Sequence, residues 1–319
     1  MTVSQGIHHV TAITGELNRH LDFYTRILGL RLVKRTVNFD DPASHHLYYG
    51  DATGRPGSII TFFVWPGGRA GRVGTGVAGA VAFAVPGTSI GFWYERLLSQ
   101  GVRLDAPARR FGEPVLEFAD PDGMRIELIG VAGLEAAPAW DGGPVPAEHA
   151  VRGLHGVTIW ENGDDGHAAT LERVFGLRPD GAEENRVRFR GTAEMGAVVD
   201  LRRVGGFWTG STGTGVVHHV AFRAADDAAQ AALREAALAL ALHPTAVLDR
   251  SYFRSVYFRQ LHGVLFEVAT DDPGFLIDES VEGLGSELRL PPWLEPARLA
   301  IEANLPPLHA WQAPAPGVA

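Results

Sequence analysis

Two octapeptides near opposite ends of the chain decide its architecture: Gly6-Ile-His-His-Val-Thr-Ala-Ile13 and Val216-Val-His-His-Val-Ala-Phe-Arg223. Two further segments open in the same way without the full histidine pair, Gly79-Ala-Val-Ala-Phe-Ala-Val85 and Gly153-Leu-His-Gly-Val-Thr-Ile-Trp160. Each is short, apolar and rich in β-branched residues, the composition of a strand. A helical pattern follows each one. Leu17, Leu21, Tyr24 and Leu28 share one stripe of a helix over 17–28. Helices over 90–100 and 168–175 stop at Gly101 and Gly176, and one over 226–242 starts with two aspartates, which suit the positive end of its dipole. More strands come after each helix: 31–36, 45–50 and 58–65 in the first copy, and 115–119 and 125–129 in the second. The third copy has 186–190 and 197–204, and the fourth 255–259 and 264–270. The chain therefore repeats a unit of strand, helix and three strands four times. Chance similarity of the openings does not account for helices and hairpins recurring at matched positions.

One such unit leaves a sheet with a bare face, and two side by side close it into a cup with helices outside. The expected fold is α+β: four βαβββ modules forming two domains of curved mixed sheets. The expected boundaries are domain 1 at 1–135, a Pro- and Gly-rich linker at 136–150, domain 2 at 151–275 and a tail at 276–319. The 319 residues suit two domains. With no cysteine, disulfides, thiolate metal sites and cysteine nucleophiles are excluded, so any metal must sit on histidine and carboxylate. The net charge of -9 and the absence of a Lys/Arg cluster argue against nucleic-acid binding. No signal-peptide pattern or membrane-length apolar run is visible, so the expectation is a cytoplasmic protein with no membrane partner. The Ala-, Pro- and Gly-rich end at 313–319 reads as disordered.

The copies differ at the residues that could bind metal. The pair His8-His9 recurs as His218-His219; the third copy has only His155, and the second has none. Glu267 in the last strand of the fourth copy lies between Phe266 and Val268. Neighbours on a strand face opposite sides, so one histidine of each pair looks into a given cup. If these are His9 and His219, equivalent strands bring them together, and Glu267 completes a two-histidine, one-carboxylate set, the pattern of oxygen-activating iron(II) sites. The same reasoning pairs copy one with copy four and copy two with copy three, leaving Glu127 and His155 too few to make a second site. Any one of these residues alone reads as structural. His20, His45, His46, His149, His167, His243, His262 and His309 read as surface or structural.

At these residues the chain resembles the vicinal oxygen chelate superfamily, and within it the ring-cleaving hydroquinone-type dioxygenases. The resemblance spans nearly the whole chain. It rests on the stretch at 6–13, on Leu-Gly-Leu-Arg-Leu-Val-Lys-Arg-Thr-Val-Asn at 28–38, His-Leu-Tyr-Tyr at 46–49 and Val-His-His-Val-Ala-Phe-Arg at 217–223. Asp-Arg-Ser-Tyr-Phe-Arg-Ser-Val-Tyr-Phe-Arg at 249–259 and Leu-Phe-Glu-Val-Ala-Thr-Asp-Asp-Pro-Gly-Phe at 265–275 extend it. It implies His9, His219 and Glu267 as ligands of Fe(II), with Mn(II) an acceptable alternative, and an aromatic substrate cleaved with O2. It also implies supporting roles for His8, Thr11, His218, Arg250 and Tyr257. Two of these have a physical basis. Thr11 follows His9 by two residues and shares its face, and a hairpin turning near residue 262 sets Tyr257 opposite Glu267. Alternation points His8 and His218 away from the metal, so either a bulge turns them or they shape the site through hydrogen bonds. Two rival readings remain. A glyoxalase-like isomerase or lyase needs a fourth ligand, which Phe62-Phe63-Val64 in copy one does not supply. A metal-free protein that sequesters aromatic compounds needs no ligand set at all.

Overall fold

The computed structural model describes residues 4–163, 166–260 and 263–308. His262, His309 and the 313–319 end lie outside them. The first module comprises β1 (Ile7–Thr14), α1 (Leu17–Asp22), β2 (Arg31–Asn38), β3 (Asp41–Gly50) and β4 (Ile59–Val64). The second comprises β5 (Ala78–Pro86), α2 (Ile90–Ser99), β6 (Ala108–Arg110), β7 (Glu113–Ala119) and β8 (Arg125–Val131). The third has β9 (Gly153–Glu161), α3 (His167–Arg173), β10 (Arg178–Glu183), β11 (Arg186–Arg190) and β12 (Val198–Arg203). The fourth has β13 (Val217–Ala224), α4 (Asp227–Ala239), β14 (Leu248–Asp249), β15 (Phe253–Arg259) and β16 (Leu265–Pro273), and α5 (Arg298–Asn304) lies in the tail. The short strands β6, β10 and β14 carry too few apolar residues to show in the sequence pattern. The helix expected over 17–28 ends early as an α-helix and continues as a π-turn at Phe23–Ile27.

Two eight-stranded sheets result, ordered β14-β15-β16-β13-β1-β4-β3-β2 and β10-β11-β12-β9-β5-β8-β7-β6. Modules one and four thus share the first sheet, and modules two and three the second, so each sheet takes one module from either side of the 136–150 segment. The central strands β1, β5 and β9 are buried along their whole length, which is why they read as nearly continuous apolar runs. Helices close the outer faces. Leu233 and Ala237 of α4 and Trp93 and Leu97 of α2 are buried. Phe175, just after α3, stacks on Phe222 of β13 at 3.7 Å between centroids, so module three also packs against the first sheet. Each such fully buried ring contributes about 2–3 kcal/mol.

The tail follows the free edge of β2. Leu288 bridges Arg35, and the Arg289 N–H donates to the Arg35 carbonyl at 2.9 Å. Lys34 is buried and paired with Asp278 at 2.6 Å and with Glu279. No helix among the described residues is long and apolar enough to cross a membrane.

Candidate metal centre

Strands β1 and β13 run antiparallel down the middle of the first sheet, with Val10 opposite Val220, His9 opposite Ala221 and Thr11 opposite His219. The pairing is symmetric about Val10 and Val220, so His9 and His219 lie diagonally on one face, 5.6 Å apart between ring centroids. Beside β13, β16 places Glu267 level with Ala221. The three side chains are buried, and their donor atoms fall within 4.8 Å of one another. Glu267 Oε2 lies 2.8 Å from His219 Nε2 and 3.3 Å from His9 Nε2, yet it accepts no well-directed hydrogen bond. A buried carboxylate oxygen in that state is costly. Two imidazole nitrogens and one carboxylate aimed at a common point are the donor set a divalent metal takes, so these residues fit such an ion.

Electrostatics agree. Burial works to raise the Glu267 pKa, but His9 and His219 outweigh it and hold the carboxyl well below its ordinary range. Burial lowers the His219 pKa, with Glu267 opposing, so a neutral imidazole able to coordinate is favoured.

The pairing slips by one residue at His8 and again at His218. A bulge is one of the two alternatives open for these histidines, and here the bulges bring both behind their neighbours. His8 Nδ1 lies 2.9 Å from His9 Nδ1, and His218 Nδ1 lies 2.8 Å from His219 Nδ1. One nitrogen of each contact must carry the proton; with that proton on the inner Nδ1, the outer histidine accepts it and the inner Nε2 keeps its lone pair toward Glu267, as a metal ligand needs. Burial lowers both outer histidines, His218 to about 3.

Tyr257 stands directly opposite Glu267 across β15 and β16. Ser255 donates to Glu267 Oε1 at 2.5 Å and so fixes the carboxylate. Arg250 lies over the Tyr257 ring at 5.4 Å and forks onto Asp40 at 2.8 and 3.1 Å. Thr11 is fully buried beneath the trio, where its hydroxyl accepts from Thr61 at 2.9 Å. The strand register also relocates one position. Glu267 is level with Ala221 as Thr61 is level with Thr11, so Thr61, and not the 62–64 segment, is the first module's counterpart of Glu267. It is too short and too weak a donor to replace a Glu or Gln as a fourth ligand.

In front of the trio is a small cavity of about 40 Å³ lined by His9, His46, Tyr48, Phe63, His219, Arg250, Phe253 and Tyr257, with Asn38 from the end of β2 and Phe39 and Asp40 from the β2–β3 turn. Sequence reasoning set His46 aside as surface or structural; the structure puts it in this wall. Tyr48, Phe39 and Asp40 were not singled out either. All of these come from β3 or the turn before it, and only cross-strand register could have found them. None of the described tail residues lines the cavity, but Trp293 packs edge-on against Phe39 at 5.7 Å. His45 and His20 are buried away from it: His45 Nε2 lies 2.9 Å from the Pro306 carbonyl, and His20 sits among Tyr24, Tyr49 and Phe62.

Residues 6–128 match the model of the Glyoxalase/Bleomycin resistance protein/Dioxygenase superfamily. The chain is 42% identical over 306 residues to MhqO of Bacillus subtilis, described as a candidate ring-cleaving dioxygenase, covering 96% of this chain and 97% of that one. The chain belongs to this superfamily, among its ring-cleaving dioxygenases. It is also 36% identical over 302 residues to the chlorohydroquinone/hydroquinone 1,2-dioxygenase of Sphingobium indicum, covering 91% of this chain and 92% of that one. A crystal structure of a candidate dioxygenase from Bacillus subtilis superposes with a TM-score of 0.93 at 41% identity, covering 98% of this chain and 100% of that one. Glyoxalase I from Zea mays shares the fold, with a TM-score of 0.61 at 17% identity over 83% of this chain and 92% of that one.

Proposed function

We propose that the protein is an Fe(II)-dependent dioxygenase that cleaves a hydroquinone- or catechol-type aromatic with O2, its metal held by His9, His219 and Glu267. One observation carries this reading. A buried carboxylate oxygen with no directed hydrogen bond faces two imidazole nitrogens at the base of a cavity walled by aromatic rings. Mn(II) accepts the same donors. The relatives support the reaction class, and Thr61 at the fourth-ligand position favours ring cleavage over a glyoxalase-like isomerisation. When bound, the metal would let a phenol oxygen and dioxygen meet at one centre and pass electron density from the ring to oxygen.

The chain's own groups would do the rest. Phe63 and Phe253 offer flat apolar surfaces to an aromatic ring. Arg250 can hold an oxygen that becomes anionic. Burial raises the Tyr257 pKa, with Glu267 adding to it, so its phenol stays protonated and can donate to a substrate oxygen as general acid. His8, His218 and Thr11 support the trio from behind. The cavity is smaller than the roughly 300 Å³ of an ordinary small-molecule pocket. Admitting a ring therefore requires its walls to part, and the Asp40–Arg250 pair, whose aspartate is largely exposed, is where this costs least.

The test is oxygen uptake by anaerobically purified, iron-loaded protein on adding a panel of hydroquinones and catechols. Uptake with loss of the aromatic absorbance, abolished together with metal binding in Glu267→Ala, is the expected result. One tightly bound metal per chain without uptake for any of them would sink the dioxygenase reading.

A further inference from the structure

Tyr48 and Tyr257 are the two phenols that line the cavity among the described residues, and their surroundings differ. Tyr257 lies beside a guanidinium, which cannot take its proton. Tyr48 has an imidazole behind it: its hydroxyl is 2.9 Å from His46 Nδ1, and His46 Nε2 is 2.8 Å from Thr61 Oγ1. Thr61 spends its own proton on Thr11 Oγ1 at 2.9 Å. Its oxygen is therefore free to accept, so the proton of a neutral His46 belongs on Nε2 and a lone pair remains on Nδ1, facing Tyr48. Four side chains from three strands thus set one tautomer, and that tautomer makes the phenol of Tyr48 a donor to a base.

We propose that Tyr48 is a catalytic residue that takes the hydroxyl proton of a bound aromatic substrate, with His46 as the positioning residue that receives the Tyr48 proton in turn. This rests on the ring-cleavage reading above. As the substrate O–H bond breaks, its proton forms a bond to Tyr48 Oη, and the Tyr48 proton passes to His46 Nδ1. The substrate becomes a phenolate and His46 an imidazolium, with no change in oxidation state. Burial, with His9 and His219 nearby, holds the His46 pKa well below its ordinary value, so the imidazolium is sustained only while the phenolate charge lies across the same phenol, where each charge stabilises the other. Thr61 keeps its hydrogen bond throughout, and the proton returns by the same path when product leaves. The relay would serve a substrate hydroxyl that the metal itself does not ionise.

Tyr48→Phe and His46→Gln test this in the full-length, metal-loaded protein. Each should lower kcat about 100-fold, the low end for a general acid–base group, with KM and metal content unchanged. The double variant should lose no more than either single one, because the two act as a unit. A second readout needs no turnover: the absorbance of 4-nitrocatechol, bound without oxygen, reports how many of its hydroxyls are ionised. The native protein should bind the doubly ionised form and both variants a singly ionised one. The same spectrum in all three, or no binding by the native protein, overturns the relay. If no aromatic is turned over by the native protein, ring cleavage fails, and the nitrocatechol spectrum still decides the relay.

Discussion

The two cups of this molecule are built on one frame and differ in what fills them. Around β1 and β13 the facing positions are His9, His219, Glu267, Thr61, Tyr48 and Tyr257. Around β9 and β5 the register puts Gly156, Ala80, Glu127, Asp200, Arg188 and Glu117 at the same places. In the second cup every carboxylate has a cation. Arg110 pairs with Glu127 at 2.8 Å and also with Glu117. Arg188 forks onto Asp200 at 2.8 and 3.0 Å, reaches Glu113 at 2.8 Å and stacks on Phe111 at 4.0 Å. Among the described residues Glu267 pairs with His9 and His219 and with no guanidinium. Burial makes a carboxylate demand a positive charge; one cup supplies it from its own strands, and in the proposed reading the other takes it from a bound ion.

The sharpest way to break this comparison is to remove one carboxylate from each cup. Glu267→Ala should abolish metal binding and turnover while leaving the fold intact, as read by metal content and circular dichroism. Asp200→Ala should leave one metal per chain and full turnover, but cost about 3–5 kcal/mol in urea unfolding, because Arg188 is left buried with half its partners. Loss of metal in Asp200→Ala would mean that the second cup serves the first.

Much of this was legible in the sequence because it depends on period two and on repetition. The pairing of module one with module four and the grouping of His9 and His219 beside Glu267 follow from equivalent positions in equivalent strands, and the placing of Tyr257 opposite Glu267 follows from a hairpin. What was not legible depends on register between strands without a repeat signature. His46 looked like one of many histidines until β3 was seen to run level with Thr61 and Phe63. The arginines that close the second cup come from β6 and β11, short strands whose pattern reads as ordinary solvent-facing charge. The bulges at His8 and His218 leave no mark in residue type at all.

A smaller effect is expected from trying to turn the second cup into the first. Ala80→His with Gly156→His would restore the histidine count opposite Glu127. Yet a Cβ on Gly156 would run into the Val198 carbonyl oxygen, a backbone atom that cannot swing aside. The double variant should bind no second metal by elemental analysis. It should also be destabilised by about 1–3 kcal/mol, as overpacked sites are. Two metals per chain would show that the cups differ only in their ligands.

The mildest contrast lies in acid. Burial would raise the pKa of Glu113, but His155 and Arg188 outweigh it and depress it from 4.5 to about 2. A carboxylate depressed on folding adds stability that is fully present above its unfolded value and is lost as pH falls through the folded one. Glu113 should therefore contribute fully above pH 4.5, and the contribution should fade between pH 4.5 and about 2. It is partly exposed, so solvent screening keeps the effect small. Glu113→Gln should lower stability at pH 7 and flatten its decline across that acid window, as read by urea unfolding at stepped pH. An unchanged slope would mean that Arg188 is held by Asp200 alone, and that the second cup is closed by one ion pair and not by a network.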